Sequence, residues 1–299
     1  MASRRNRALR LPGPACTTAA SLPHIAARSL ATPSGQHASS VRLHPRATAS
    51  GWRRQTGRRK LRPPPDTPRE FSLSPPELLP LFPVPFSISR HPDAVRLNAA
   101  LTQYVLMREA SGTAANPRPH TLRNDKLFES AFNLFSEDNP AIRELRTFCW
   151  EQLLALVGHL NGYDPATLQR LRIFNESWFH IMRRGGFFGL HNHPNASWSG
   201  VYCVDPGKSD AGRKESGLLA FVNPAVGSAM YMDAGVARLQ PPFGLAGATF
   251  ALEPGQLVLF PSWVLHDVKP FEGEGTRITI AFNCSFRLAD PGQGASASS

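Results

Sequence analysis

The part of the sequence after Leu171 consists of short apolar runs separated by glycine, proline and asparagine. Runs of this length between turn-forming residues are typical of β-strands. Several of them at modest spacing indicate a sandwich or barrel, because βαβ units would place a helix between successive strands. The sequence therefore predicts a mainly β core with strands over 172–180, 198–204, 217–222, 256–260 and 277–286.

Two helical patterns precede this core. Apolar residues over 93–110 recur at helical spacing, and Pro92 stands at the start of that segment. The stretch 139–160 has a broader apolar face, and Asn139 and Pro140 are typical of a helix N-terminus. We therefore expect at least two helices to pack outside the β-core.

These patterns predict one domain from about 71 to 288, with a helical part over about 90–162 and a β-core over about 171–286. The proline-marked stretch Leu79–Phe86 is predicted to enter the fold as an edge strand, because proline cannot donate to a central ladder. Residues 289–299 are predicted to be a disordered tail.

The formal net charge of +11 is concentrated near the N-terminus. Residues 1–65 contain 13 Arg and Lys and no Asp or Glu, whereas the rest of the chain has 20 basic and 22 acidic residues. A nucleic-acid groove needs a basic face on the folded surface, so the nearly neutral remainder disfavours that function. The Arg/Pro/Ser-rich residues 1–70 are predicted to be a disordered extension. Its origin stays open between an organelle transit peptide and a misplaced start.

The cysteine spacing argues against two kinds of protein, and the hydropathy pattern excludes a third. The four cysteines, Cys16, Cys149, Cys203 and Cys284, have no CxxC spacing, which disfavours a disulfide framework and an all-cysteine zinc site. No apolar stretch is long enough to be a membrane span. The expected location is the cytoplasm, or an organelle if the extension is a transit peptide.

The most informative candidates for a site are three histidines. His191 and His193 are two positions apart, so on a strand they point to the same side and can share a metal ion. His266 follows another predicted strand, and imidazole suits iron, zinc, copper and nickel. His180 is a weaker candidate at the end of a strand beside this site. A lone HxH pair also occurs among ordinary surface or core histidines, and that interpretation stays open.

The predicted strand that begins at Arg277 has two unlike faces. Arg277, Thr279, Ala281 and Asn283 share one face, and the apolar residues between them share the other. A cation on such a strand needs an acidic partner, and its own face offers none. A bound acid held by the guanidinium meets this need, with a surface salt bridge as the alternative.

As an ordered set, these motifs resemble the 2-oxoglutarate/Fe(II)-dependent oxygenases, and more narrowly a family with an HxHPN…SGVYYV core. The resemblance covers roughly residues 79–286 and rests on Ser177-Trp178, Gly189–Asn195, Ser199–Val204, Gly217–Phe221, Pro254–Trp263, His266 and Arg277–Asn283. It implies a double-stranded β-helix, or jelly roll, with N-terminal helices that buttress one sheet.

The resemblance also implies the roles of individual residues. His191 and His266 would be the first and last iron ligands, and His193 would occupy the position where the wider superfamily has a carboxylate. Arg277 and Thr279 would bind the distal carboxylate of 2-oxoglutarate, with Tyr202 and Asn283 as further residues of that pocket. We name these cofactor-binding residues together with the three metal ligands His191, His193 and His266. The candidate carboxylates to replace the missing ligand are Asp205, Glu253 and, less readily, Asp267.

The implied activity is that of an Fe(II)- and 2-oxoglutarate-dependent dioxygenase, an oxidoreductase of the hydroxylase type. Its implied small-molecule partners are 2-oxoglutarate and O2, and the sequence does not identify the substrate. Loops 205–216 and 223–250 are expected to rim the mouth of the cavity. Trp198, Trp263 and Phe221 are candidates for its wall. Two alternatives are a cupin-like three-His metal protein or enzyme that does not use 2-oxoglutarate, and a binding module without metal.

Overall fold

The computed structural model describes residues 77–228, 231 and 233–289. The predicted extension over 1–70 and, apart from Ala289, the predicted tail over 289–299 lie outside the described residues. Among the described residues, no helix combines the length and the apolar character that crossing a membrane requires.

More of the described residues lie in strands than in α-helices. The strands are β1 Ser87–Arg90, β2 Leu127–Glu129, β3 Leu171–Met182, β4 Phe188–His191, β5 Trp198–Asp205, β6 Lys208–Ser209, β7 Leu219–Phe221, β8 Ala248–Phe250, β9 Gln256–Pro261, β10 His266–Val268, β11 Gly273–Glu274 and β12 Arg277–Leu288. The helices are α1 Ala94–Ala110, α2 Pro140–Asn161 and α3 Pro165–Arg170, with 3-10 turns at Leu134–Ser136 and Pro224–Ser228.

The strands form antiparallel sheets. The larger sheet has six strands in the order β1-β9-β5-β12-β3-β2, and the smaller has four in the order β4-β10-β7-β8. Strands β6 and β11 form a separate two-stranded ribbon. Side chains of both main sheets line one shared cavity. This antiparallel architecture confirms that the fold is mainly β, as predicted, and is consistent with a jelly roll.

The five predicted strand regions all contain strands, and β12 has the predicted two-faced character. Ile278 and Ile280 are fully buried in the main apolar core, whereas Arg277, Thr279 and Asn283 line the cavity between the sheets. The alternation of side chains along an extended strand accounts for this division. It places the polar residues of β12 together on the inner side of the larger sheet.

Helices α1 and α2 cover the outer side of the larger sheet. Leu97 and Leu101 of α1 and Leu145 of α2 are completely buried, and they belong to the same core cluster as Ile278 and Ile280. The start of α2 is fixed by its sequence, because the side chain of the preceding asparagine accepts hydrogen bonds from two backbone N–H groups of the first turn. The glycine that follows α2 has a left-handed conformation, with φ of 64°.

The predicted edge strand over Leu79–Phe86 is wrong in position. The edge strand is β1, which begins at Ser87 and pairs with β9, and residues 79–86 are in no strand. Three of those residues are prolines, which lack the N–H that a ladder requires. The chain therefore begins to pair only after the last of them.

Candidate metal and anion site

Three histidines converge at one end of the cavity. His191 at the end of β4 pairs directly with His266 at the start of β10, and their ring centroids are 4.2 Å apart. The ring of His193 lies 4.9 Å from His191 and 5.2 Å from His266. One ligand nitrogen from each residue lies within 4.8 Å of the other two, so the three imidazoles form a cluster of the size that a single metal ion requires.

Backbone carbonyl groups orient two of these rings. His191 Nδ1 is 2.7 Å from the carbonyl oxygen of Gly189, and His266 Nδ1 is 2.9 Å from that of Val264. Since a carbonyl oxygen can only accept, each Nδ1 donates and each Nε2 keeps its lone pair. Metal-binding histidines commonly adopt this tautomer, because the hydrogen bond from the other ring nitrogen fixes it. His193 is held differently, because its backbone N–H donates to the carbonyl oxygen of Ser262 at 2.9 Å.

The environment of the cluster favours neutral imidazoles. Burial lowers the pKa of His193 to about 3, and the neighbouring His191 and His266 act in the same direction. Burial, together with the charge of His191, lowers the pKa of His266 to about 4. Burial also lowers the pKa of His191. Because a metal ion binds only the unprotonated nitrogen, the three side chains are in the form that coordinates metal at neutral pH.

No carboxylate joins the three histidines among the described residues. Asp205 accepts a hydrogen bond from the backbone N–H of Gly207, and Glu253 forms an ion pair with Arg90. Asp267 forms an ion pair with Lys269. The structure therefore places none of the three sequence candidates as a replacement for the missing carboxylate.

Arg277 lies in the same cavity and is almost completely buried, with 2% of its surface exposed. Its Nη1 atom is buried and has no hydrogen-bond partner among the described residues. Burial lowers the pKa of the guanidinium. The surface salt bridge considered from the sequence is thus excluded, and the cavity contains a buried cation with an unused donor.

Two of the other predicted pocket residues also line the cavity. Thr279 and Asn283 follow Arg277 on the inner face of β12. Asn283 Oδ1 accepts a hydrogen bond from Ser199 Oγ at 2.7 Å, and Ser199 Oγ is 2.8 Å from Ser262 Oγ. These hydrogen bonds link Asn283, which lines the cavity, to Ser262, whose carbonyl oxygen accepts the backbone N–H of His193.

Tyr202 does not line the cavity, so its prediction as a pocket residue is wrong. It pairs with Ile280 in the β5–β12 register and lies on the helix-covered side of the sheet. Its hydroxyl donates to Asn98 Oδ1 of α1 at 2.7 Å, and the ring is completely buried. The prediction fails because strand alternation says which residues share a face but not which face turns inward.

The aromatic wall also differs from the expected one. Trp178, Phe188 and Phe260 line the cavity. Trp263 is half exposed, and Trp198 packs against the main core instead. Phe221 is buried beside His266, with ring centroids 5.7 Å apart.

His180 lines the cavity as well, and its neighbour Glu129 is a residue that the sequence does not single out. Both side chains are buried, and His180 Nε2 is 3.1 Å from Glu129 Oε2. No local motif announces this pair. Glu129 comes to the site only because the three-residue strand β2 pairs with β3.

Residues 176–283 match the protein family described as "Putative 2OG-Fe(II) oxygenase". The matched segment contains the three histidines, Arg277, Thr279 and Asn283. This match supports the family that the sequence resembles. No curated protein matches the chain.

Solved structures similar to this chain include a prolyl-4-hydroxylase from Pseudomonas putida, with 20% identity, a TM-score of 0.42, and 69% of this chain and 94% of that chain covered. A prolyl hydroxylase from Trichoplax adhaerens, in complex with a peptide fragment of hypoxia inducible factor, has 15% identity and a TM-score of 0.43, with 67% and 82% covered. HygX from Streptomyces hygroscopicus, with nickel and 2-oxoglutarate bound, has 13% identity and a TM-score of 0.43, with 68% and 83% covered.

Proposed function

We propose that this chain is a 2-oxoglutarate-dependent oxygenase, an oxidoreductase, which binds Fe(II) through His191, His193 and His266 and hydroxylates a substrate that is still to be identified. The strand order of the two main sheets supports a double-stranded β-helix as the fold. The observation that carries the proposal is a buried guanidinium, whose Nη1 has no hydrogen-bond partner among the described residues, in the same cavity as a three-imidazole cluster.

The donor set is suited to the metal. Three neutral imidazoles are ligands that Fe(II) accepts, and their orientation by backbone carbonyls leaves Nε2 of His191 and His266 available. With three neutral ligands, the protein contributes no negative charge to the metal. A dianionic cosubstrate such as 2-oxoglutarate would supply that charge itself.

The anion site is suited to the cosubstrate. A desolvated guanidinium with a free donor binds a carboxylate through charge-assisted hydrogen bonds, and Thr279 offers a hydroxyl two positions further along the strand. We assign Arg277 and Thr279 to the distal carboxylate of 2-oxoglutarate. Asn283, at the other end of the inner face of β12, is assigned to the same pocket.

The reaction proposed converts 2-oxoglutarate, O2 and a substrate C–H group into succinate, CO2 and the hydroxylated product. One oxygen atom of O2 enters succinate and the other enters the product. Bound iron supplies the dioxygen chemistry. The protein holds the cosubstrate through Arg277 and keeps water away with the apolar wall formed by Trp178, Phe188 and Phe260.

A succinate-release assay tests the proposal. Purified protein with Fe(II), 2-oxoglutarate and O2 is expected to release succinate, at a rate that rises when a substrate from a metabolite and peptide library is present. Loss of succinate release in an Arg277→Met variant that keeps its metal would link the reaction to the cavity. A protein that binds metal but neither binds nor consumes 2-oxoglutarate would instead favour the cupin-like alternative. That alternative does not explain why Arg277 Nη1 has no partner among the described residues.

A further inference from the structure

A fourth histidine lies beside the proposed cosubstrate site. His180 on β3 lines the cavity and pairs directly with Thr279 of β12. On its other side it pairs with Glu129 of β2. Thr279, His180 and Glu129 therefore form one row across three adjacent strands, and Arg277 lies two positions along β12 from that row.

The ring of His180 is held at only one of its nitrogens. His180 Nε2 is 3.1 Å from Glu129 Oε2 and 3.1 Å from the indole Nε1 of Trp178. The ring also packs against Phe188, with centroids 4.6 Å apart. Its other nitrogen, Nδ1, makes no hydrogen bond with any residue that the structure describes.

Glu129 is itself fixed and deeply buried. Its Oε1 accepts a hydrogen bond from Asn116 Nδ2 at 2.6 Å, and only 4% of the residue is exposed. Burial raises the pKa of Glu129, but contacts with His180 and Asn116 outweigh this effect, so that the net direction is down and the carboxylate is ionised. Within the described chain, His180 is the one basic side chain at salt-bridge distance from it.

An anchored ring of this kind can donate from Nδ1. The imidazolium form carries protons on both nitrogens, so that Nε2 donates to Glu129 and Nδ1 can donate to the cavity. Burial lowers the pKa of His180, the charge of Arg277 acts in the same direction, and Glu129 offsets them only in part. A carboxylate bound at Nδ1 would stabilise the imidazolium from the other side, so the ring offers this donor to an acidic ligand.

We propose that His180 is a third donor to the distal carboxylate of the cosubstrate, beside Arg277 and Thr279, and that Glu129 is the positioning residue that holds its ring. This inference rests on the proposed function. Paired residues on antiparallel strands have Cα atoms about 4.5–5.5 Å apart, and residues two positions apart on a strand are separated by about 7 Å. The three donors are therefore close enough to share one carboxylate, whose two oxygens can accept several hydrogen bonds.

A role of His180 as a fourth metal ligand does not fit the structure. The group of metal-ligating atoms within 4.8 Å of one another contains His191, His193 and His266 but not His180. Variants of His180 and Glu129 are accordingly expected to retain metal while they bind the cosubstrate more weakly.

The test measures metal affinity and ligand affinity separately, by calorimetry on the full chain loaded with Ni(II). His180→Phe keeps an aromatic ring and removes both nitrogens, and it should weaken 2-oxoglutarate binding about tenfold or more, as expected for a hydrogen bond to a charged group. Glu129→Gln keeps the volume and the contact with Nε2, and it should weaken binding by a smaller factor. Glu137→Gln is the matched control, because this carboxylate also bonds a tyrosine and an arginine but lies outside the cavity lining.

A second ligand shows whether His180 contacts the distal carboxylate or only maintains the structure of the pocket. 2-Oxobutyrate keeps the keto acid that the metal would chelate and lacks the distal carboxylate. The loss caused by His180→Phe should be seen with 2-oxoglutarate and disappear with 2-oxobutyrate. An equal loss with both ligands would overturn the assignment, since it would show a general disturbance of the pocket.

The outcomes also distinguish the two proposals. If the Ni(II)-loaded parent chain binds no 2-oxoglutarate, the proposed function and this inference are both wrong. If the parent binds it and Arg277→Met loses it while His180→Phe and Glu129→Gln keep full affinity, only the role of His180 is wrong. Should His180→Phe fail to fold, Glu129→Gln decides alone, and unchanged selectivity for 2-oxoglutarate over 2-oxobutyrate in that variant would reject the proposal.

Discussion

His266 and His191 are paired residues on the neighbouring antiparallel strands β10 and β4, and their ring centroids lie 4.2 Å apart. Direct pairing brings side chains on one face of a sheet into contact. The cluster therefore depends on the register of two short strands as much as on the identity of its residues. His193 completes it from the loop that follows β4.

Replacing His191 or His266 with Ala should abolish metal retention and leave the protein folded, because each change removes one of the three proposed ligands. Metal content after desalting and the far-UV circular dichroism spectrum check this outcome. His159→Ala, a change at an exposed histidine on α2, is the control. Unchanged metal content in both cluster variants would show that the metal binds elsewhere.

Arg277→Met should have opposite effects on ligand binding and on stability. We expect 2-oxoglutarate to bind more weakly by about 1.5–3 kcal/mol, the value of a hydrogen bond to a charged group. The free energy of unfolding without ligand should rise by about 1 kcal/mol or more, since the change removes a buried charge whose Nη1 has no partner among the described residues. Calorimetry and chemical denaturation measure the two quantities.

Arg108→Met provides the contrast for that experiment. Arg108 already has a partner in Glu137, with Nη2 and Oε1 2.7 Å apart, and so its loss should not stabilise the protein. A fall in stability for Arg277→Met similar to that for Arg108→Met would mean that Arg277 has a structural partner.

Tyr202→Phe should lower the free energy of unfolding by about 1 kcal/mol, because Asn98 loses the hydroxyl that donates to its Oδ1. Binding of 2-oxoglutarate should stay within about a factor of two of the parent value, given that the hydroxyl bonds to α1 on the far side of the sheet. Thermal or chemical denaturation and ligand titration check the two parts. A large loss of affinity with unchanged stability would restore the role in the pocket that the sequence suggests.

The metal-free protein should lose stability as the pH falls from 6.5 towards 4. The pKa of His266 is about 4 in the folded protein and 6.5 in the unfolded chain. Between these pH values the unfolded chain binds a proton that the folded chain does not bind. At pH 5 this one residue lowers the free energy of unfolding by about 2 kcal/mol. His193 acts in the same direction, with a pKa of about 3.

Denaturation curves at several pH values measure this dependence. In the His266→Gln variant, the free energy of unfolding should decrease less with falling pH than in the parent chain. The exposed control His159→Gln should behave like the parent. A parent curve that is flat between pH 7 and 5 would mean that the cluster is solvated and charged in the folded protein.

Local patterns in the sequence determined several features of this protein. The strand regions, the asparagine cap of α2 and the two faces of β12 follow from preferences that act within a few residues of chain. The apolar residues of β12 alternate with Arg277 and Thr279, and successive side chains on an extended strand point to opposite faces. The apolar and the polar residues of β12 therefore lie on different faces of the sheet. Because alternate residues on a strand share a face, the sequence also indicated that His191 and His193 could share a metal ion and that Arg277 lacked an acidic partner on its own face.

Tertiary pairing decided the rest. Alternate residues on β5 point to opposite faces, but both faces of this strand are covered, so hydrophobicity could not show that Tyr202 turns towards α1. Glu129 reaches His180 only through the pairing of β2 with β3, which brings together residues far apart in the chain. Such contacts depend on strand order and register, and no short window of sequence specifies either.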